Sequence, residues 1–128
     1  MPVTITKDPD ANIVIATYSD PFRDSDVEQV MIETSKYYDP NGEMLYSVSD
    51  ASQLHLTFSD LVVALAKATR SEGWRVGAPN SVTIFVGNDE MVRMGREALK
   101  RPQYGGVEVH LFNDIDEALG WVREQVQR

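Results

Sequence analysis

From Asn12 to the end, two hydrophobic periods take turns along this chain, and that alternation restricts the fold more than any other feature. Asn12-Ile13-Val14-Ile15-Ala16-Thr17-Tyr18, Met44 to Val48, Val82-Thr83-Ile84-Phe85-Val86 and Val107 to Phe112 are short apolar runs of the kind that form strands. Each is followed by a stripe at helical spacing. The stripes are Val27, Val30, Met31 and Thr34; Phe58, Leu61, Val62, Leu65 and Ala68; Met91, Val92, Gly95, Ala98 and Leu99; and Ile115, Leu119, Val122 and Val126. Strands alternating with helices imply right-handed crossovers and parallel neighbours. Ahead of them Val3-Thr4-Ile5-Thr6 alternates as a half-buried strand, and Asp8-Pro9-Asp10-Ala11-Asn12 is turn chemistry, so an antiparallel hairpin opens the chain. The expected fold is α/β in the order β-β-α-β-α-β-α-β-α, a mostly parallel five-stranded sheet with an antiparallel edge strand and four helices. It forms one domain over 1–128.

Helix ends are marked by capping chemistry. Ser25 with Glu28 predicts a capped first helix over 25–38, stopped by Asp39-Pro40-Asn41-Gly42. Thr57 with Asp60 resembles a capping box for the second helix, Gly73 is placed as its left-handed terminator, and Trp74 is expected to pack back over its end. Asn88 or Asp89 caps the third helix, whose last turn carries Lys100 and Arg101, and Pro102 to Gly106 breaks it. Asp114 and Glu117 occupy capping positions of the fourth.

Composition removes several function classes. The absence of cysteine excludes disulfides, thiolate metal sites and cysteine nucleophiles. The amino terminus, Met1 to Asp8, has neither the basic run nor the apolar core of a signal peptide, and no apolar segment approaches the ~20 residues of a membrane span, so a cytoplasmic protein is expected. A formal charge of −8 argues against nucleic acid as a partner. Residues 1 to 64 carry the whole imbalance, with three basic against eleven acidic side chains, which is either a solvated acidic face or a charge-steered partner surface.

The stretch from Met44 to Ala68 is the best place for a site. It reads as a strand ending at Val48, a polar bend through Asp50, Ser52 and His55, and a helix opening at Thr57-Phe58-Ser59-Asp60. A strand's carboxyl end and a helix's amino end meet there, with unspent N–H groups and a dipole. Ligands of open parallel sheets sit beyond the strand carboxyl ends, where Asp20, Asp50, Ser52, Asn88, Asp89, Asn113 and Asp114 also fall. Such a ring could hold a hard cation, but every member is also a turn or cap residue, and neither metal nor cofactor is expected. Gly87 is a lone glycine followed by Asn88-Asp89-Glu90, which would repel phosphate. His110 alternates with Val109 and Leu111 as a structural residue, whereas His55 lies near Asp50 and Ser59. Phe22, Tyr37, Tyr38, Phe58, Trp74, Tyr104 and Trp121 exceed what the stripes clearly bury; core filling explains most, leaving some for an apolar pocket or an interface.

Two local signatures, with the element order, resemble the STAS domain of bacterial anti-sigma-factor antagonists, in its SpoIIAA-like branch, which is grouped with the lipid-binding CRAL-TRIO fold. One is the strand-bend-helix from Ser47 to Leu61; the other is the tail from Val109 to Val122, with Asp114, Glu117, Ala118 and Trp121 following a strand that ends in Phe112. Antagonists of the switch type carry Asp-Ser-Ser-Gly at the helix start, with one serine phosphorylated. Aligned without a gap from Asp50, these positions read Phe58-Ser59-Asp60-Leu61, so Asp60 takes the place of the phosphorylated serine and Phe58 that of the aspartate. Asp60 is then either a capping acid or a standing imitation of phosphate beside Ser59 or Thr57 as acceptor. The resemblance implies a non-enzymatic regulatory module without the usual phosphoswitch. It would bind another protein, or a second copy of the chain, through the second helix's amino end and the acidic first helix. The candidate binding residues are Asp20, Asp50, Ser52, His55, Thr57, Phe58, Ser59 and Asp60. The CRAL-TRIO grouping implies an alternative, a carrier or sensor of an apolar or amphipathic small molecule. A third reading is a hydrolase using His55 as base and Ser59 as nucleophile.

Overall fold

A computed structural model describes residues 3–128; Met1 and Pro2, which open the stretch read for a signal peptide, lie outside them. The elements are β1 (Thr4–Lys7), β2 (Ile13–Ser19), α1 (Asp24–Ser35), β3 (Leu45–Gln53), α2 (Phe58–Thr69), β4 (Ser81–Val86), α3 (Glu90–Leu99), β5 (Val109–Phe112) and α4 (Ile115–Val126), with a 3₁₀ turn at Pro102–Tyr104. The strands lie in the sheet in chain order, β1-β2-β3-β4-β5. β1 is antiparallel to β2, with Ile5 opposite Ala16, and every later pair is parallel. The expected α/β architecture and element order are those observed.

Strand order dictates where the helices go. Each parallel connection steps to the next strand on the same side, and right-handed crossovers that all step one way deliver their helices to one face. Accordingly Val27 and Val30 of α1, Leu61 and Leu65 of α2 and Leu99 of α3 share a core with Val14, Ala16, Leu45 and Val109 of the sheet. α4 belongs to no crossover and is free to take the other face. There Ala118 and Val122 pack on Ile13, Val48, Ile84 and Val86, forming a second, smaller core. Trp121 closes it by stacking near His110, with ring centroids 4.4 Å apart.

Several boundaries differ from the sequence expectation. β3 does not end at Val48: it continues through Asp50 to Gln53, because it is flanked on both sides, with Asp50 opposite both Thr17 and Val86. Pairing on two sides outweighs the poor strand propensity of Ser49 and Asp50, and β2 alone, across a register shift, carries the strand on to Gln53. α1 begins at Asp24, one residue before the expected cap, and no side chain caps it at Arg23; Ser25 lies inside the first turn, where Asp24 and Asp26 complement the dipole. The helix also stops at Ser35, three residues short of Tyr38, whose hydroxyl instead donates to the Pro79 carbonyl at 2.6 Å. β5 begins at Val109 rather than Val107.

Gly73 is not a left-handed terminator, since α2 already ends with Arg70 as its C-cap at φ −117°. The glycine serves a close approach: a Cβ there would collide with Ser35 Oγ, which accepts the backbone N–H of Trp74 at 2.8 Å. Trp74 is thereby drawn fully into the core beside α1 and α2.

Ile84, fully buried at the centre of the α4 face, provides a test of that second core. Ile84→Ala is expected to lower unfolding free energy by about 2–5 kcal/mol in urea titration. A loss under about 1 kcal/mol would mean that α4 is not packed on the sheet as described.

Candidate functional site

The four parallel strands end along one edge, and most of the polar residues singled out from the sequence lie there. Their side chains are largely committed to one another and to the backbone. Asp20, just past β2, accepts the backbone N–H of His55 on Oδ1 at 2.8 Å and meets His55 Nδ1 with Oδ2 at 2.7 Å. The two-point contact ties the end of β2 to the loop between β3 and α2. The hydrogen bond to Asp20, followed by its negative charge, raises the His55 pKa above that of a free imidazole. Hydrogen bonds from the His55 ring and backbone lower the Asp20 carboxyl below its usual range. With the side chains 83% and 45% exposed, solvent screens this pair and it organises the loop more than it stabilises the fold.

Asp50 turns its carboxylate back on its own strand end, where Oδ1 accepts Ser52 N–H at 3.0 Å and Ser52 Oγ–H at 2.7 Å. The expected capping box is present at α2: Thr57 Oγ1 accepts from Asp60 N–H, and Asp60 Oδ2 accepts from Thr57 N–H, both at 3.1 Å. Asp89 caps α3 through Met91 N–H at 2.8 Å, and Asp114 caps α4 through Glu117 N–H at 2.9 Å. These residues therefore form three separate pairs, Asp20 with His55, Asp50 with Ser52 and Thr57 with Asp60, rather than one constellation. Phe58 and Ser59 stand exposed beside the last of them. The described hydrogen bonds join His55 to Asp20 and not to Ser59. Among the described residues no group of three or more acidic or histidine side chains is placed to hold a metal ion.

A different feature lies beneath the helices. Small side chains meet where β3, α2 and α3 face one another: Ser49 and Ala51 on the strand, Ala64 and Ala68 on α2, and Gly95 on α3. Gly95 eases the approach, because a Cβ there would lie 3.0 Å from Leu61 Cδ1 and the leucine would have to shift. Side chains this short cannot fill the layer, and a cavity of about 100 Å³ remains. Tyr18 and Trp74 also line it. Burial, reinforced by the Asp26 carboxylate, pushes the Tyr18 hydroxyl well above the usual phenol range, so it stays protonated and neutral. Trp74 Nε1 is buried with no hydrogen-bond partner, a state that costs about 1–3 kcal/mol. Sequence reasoning left some of the surplus aromatics, Phe22 and Trp74 among those named, for an apolar pocket or an interface, but did not place the cavity. The available signal was small residues at alternate strand positions facing an i, i+4 alanine pair.

No protein-family model matches the chain, and no curated protein matches it. No described helix is long and apolar enough to cross a membrane.

Two measurements test the local chemistry. The sign of the linkage follows from the shifts: the raised His55 makes its contribution fully present below the ordinary imidazole pKa and lost as pH rises through the raised value. The lowered Asp20 makes its contribution present above the ordinary carboxylate pKa and lost as pH falls through the depressed value. An NMR titration should find the His55 ring titrating above a free histidine, and Asp20→Asn should bring it back down. An unshifted His55 in the unmodified protein would disprove the pairing. Thr57→Ala should cost about 1 kcal/mol in denaturant unfolding, and an unchanged midpoint would mean that the box does not hold α2.

Proposed function

We propose that this protein is a non-enzymatic, STAS-like regulatory module that docks another protein on the amino-terminal half of α2, without a serine phosphoswitch. The observation that carries this reading is the exposure of Phe58 at 61%, Val62 at 43% and Val63 at 37% within the first two turns of one helix. Single exposed apolar side chains are ordinary on a protein surface, but a group of this size on one rigid element suits recognition. Ile32 of α1 and Met94 of α3, both exposed, lie on the two helices that pack against α2. The exposed acids of α1 face the other end of α2, where Glu28 pairs with Lys67 in its last turn, so the reading rests on the apolar side chains.

The capping box supports reading Asp60 as a cap. Its carboxylate already accepts the Thr57 N–H, so its charge is spent on the helix end. A phosphate on Ser59 or Thr57 would add negative charge beside Asp60 and disturb that box. Constitutive docking by shape and apolar contact fits these residues better than a switch does. The acidic, cysteine-free composition suits a cytoplasmic module of this kind.

Affinity capture from the source cell with the unmodified protein, Phe58→Ser and Val62→Ser is the test. One partner retained by the unmodified protein and lost from both variants, with unfolding midpoints within about 0.5 kcal/mol of each other, is the expected result. Light scattering on the same samples separates a second copy from a foreign partner. If the unmodified protein stays monomeric and retains nothing, docking on α2 is wrong.

A further inference from the structure

The exposed apolar surface of α2 does not end with Val63. Val63, Ala66, Lys67 and Arg70 follow at i, i+3, i+4 and i+7, so they share one face of the helix. Glu28, Met31 and Ile32 make the corresponding stripe on α1. Where the two stripes meet, Ala66 offers only a methyl group, and a groove of about 440 Å³ stays open with the buried Met31 as its floor. Resting on the docking reading above, we propose that the partner is a protein that lays an acidic amphipathic helix along this groove, with its apolar stripe on Val63, Ala66 and Ile32 and a carboxylate on Arg70.

The shape of the groove favours a helix over a small molecule. Ile32 is 62% exposed and the Glu28 side chain 54%, so a compact ligand would stay largely in water, whereas small-molecule sites bury roughly 70–90% of their ligand. A helix covers such a groove from above with anchors one turn apart. From Val63 to Arg70 the surface of α2 rises about 10 Å, the length of two turns of a partner helix. Charge sets the sign of the partner. Lys67 is already paired with Glu28 across the groove. Arg70 lines the same groove, is exposed, and its guanidinium has no ion-pair or hydrogen-bond partner among the described residues. Its planar fork of donors fits a carboxylate at two points. A cationic helix would meet Arg70 and find Glu28 taken by Lys67.

Two model peptides serve as probes, alike in a leucine stripe at helical spacing and differing only in glutamate or lysine beside it. Each is titrated with the full chain by fluorescence anisotropy at about 0.15 M salt, where attraction beyond ~8 Å is screened. The formal charge of −8 favours the lysine peptide in general, so a preference for glutamate reports on the groove. The glutamate peptide should bind saturably and about tenfold more tightly than the lysine peptide. Arg70→Glu should invert that order, and Ile32→Ser should weaken both peptides about tenfold. Both side chains are exposed, so these variants keep the fold. No saturable binding of the glutamate peptide, a lysine peptide that binds as tightly, or an order unchanged by Arg70→Glu overturns the proposal. A dimer in sedimentation that Ile32→Ser disrupts would overturn it in favour of a second copy. A captured partner that is lost with Phe58→Ser but kept with Arg70→Glu would leave docking on α2 standing and remove only the acidic helix.

Discussion

Three crossovers that all step in one direction are the constraint on which the rest of this structure depends. They place α1, α2 and α3 side by side on one face of the sheet, with α2 in the middle and in contact with both neighbours. The middle helix needs few residues to hold it down, and Leu61 and Leu65 are its buried side chains. That frees the outward positions of its first turns, where Phe58, Val62 and Val63 stand exposed. The same constraint leaves the opposite face to α4 alone. That smaller core is confined to the sheet beneath one helix, and on the β1 edge Thr4 and Thr6 face solvent.

The polar residues at the strand ends share a common logic. A parallel sheet delivers every helix start to one edge, and each start brings backbone N–H groups that need acceptors. Asp60, Asp89 and Asp114 meet that need at α2, α3 and α4. Asp20 and Asp50 secure the loop and strand end beside them. An acidic edge in this architecture is thus largely a consequence of how helices begin. Phe58 and Ser59 are among the exposed residues there with no structural duty evident in these contacts.

The interior follows a different rule. Ser49 and Ala51 alternate toward the helical layer, Ala64 and Ala68 face them one turn apart, and Gly95 lets α3 close in. Small residues on all three elements bring the backbones near one another yet leave the space between them underfilled, which interiors normally avoid. Trp74, pulled inward by the hydrogen bond from its backbone to Ser35, lines that space, and its indole N–H is buried without a hydrogen-bond partner.

Hydrophobic period and capping chemistry are local, so the sequence by itself determined the element order, the α/β class, the antiparallel edge, the Thr57 and Asp60 box and the cap at Asp114, and it narrowed the cap of α3 to Asn88 or Asp89. Tertiary structure decided what depends on neighbours distant in the chain. It carried β3 past Val48, because two flanking strands supply ladder bonds as far as Asp50 and β2 alone continues to Gln53, outweighing local polarity. It paired His55 with Asp20 rather than with Ser59, because the end of β2 lies beside that loop only once the sheet is formed. It also opened the cavity beneath α2, since the volume left between small residues is set by how closely three elements approach, and no single element encodes that distance.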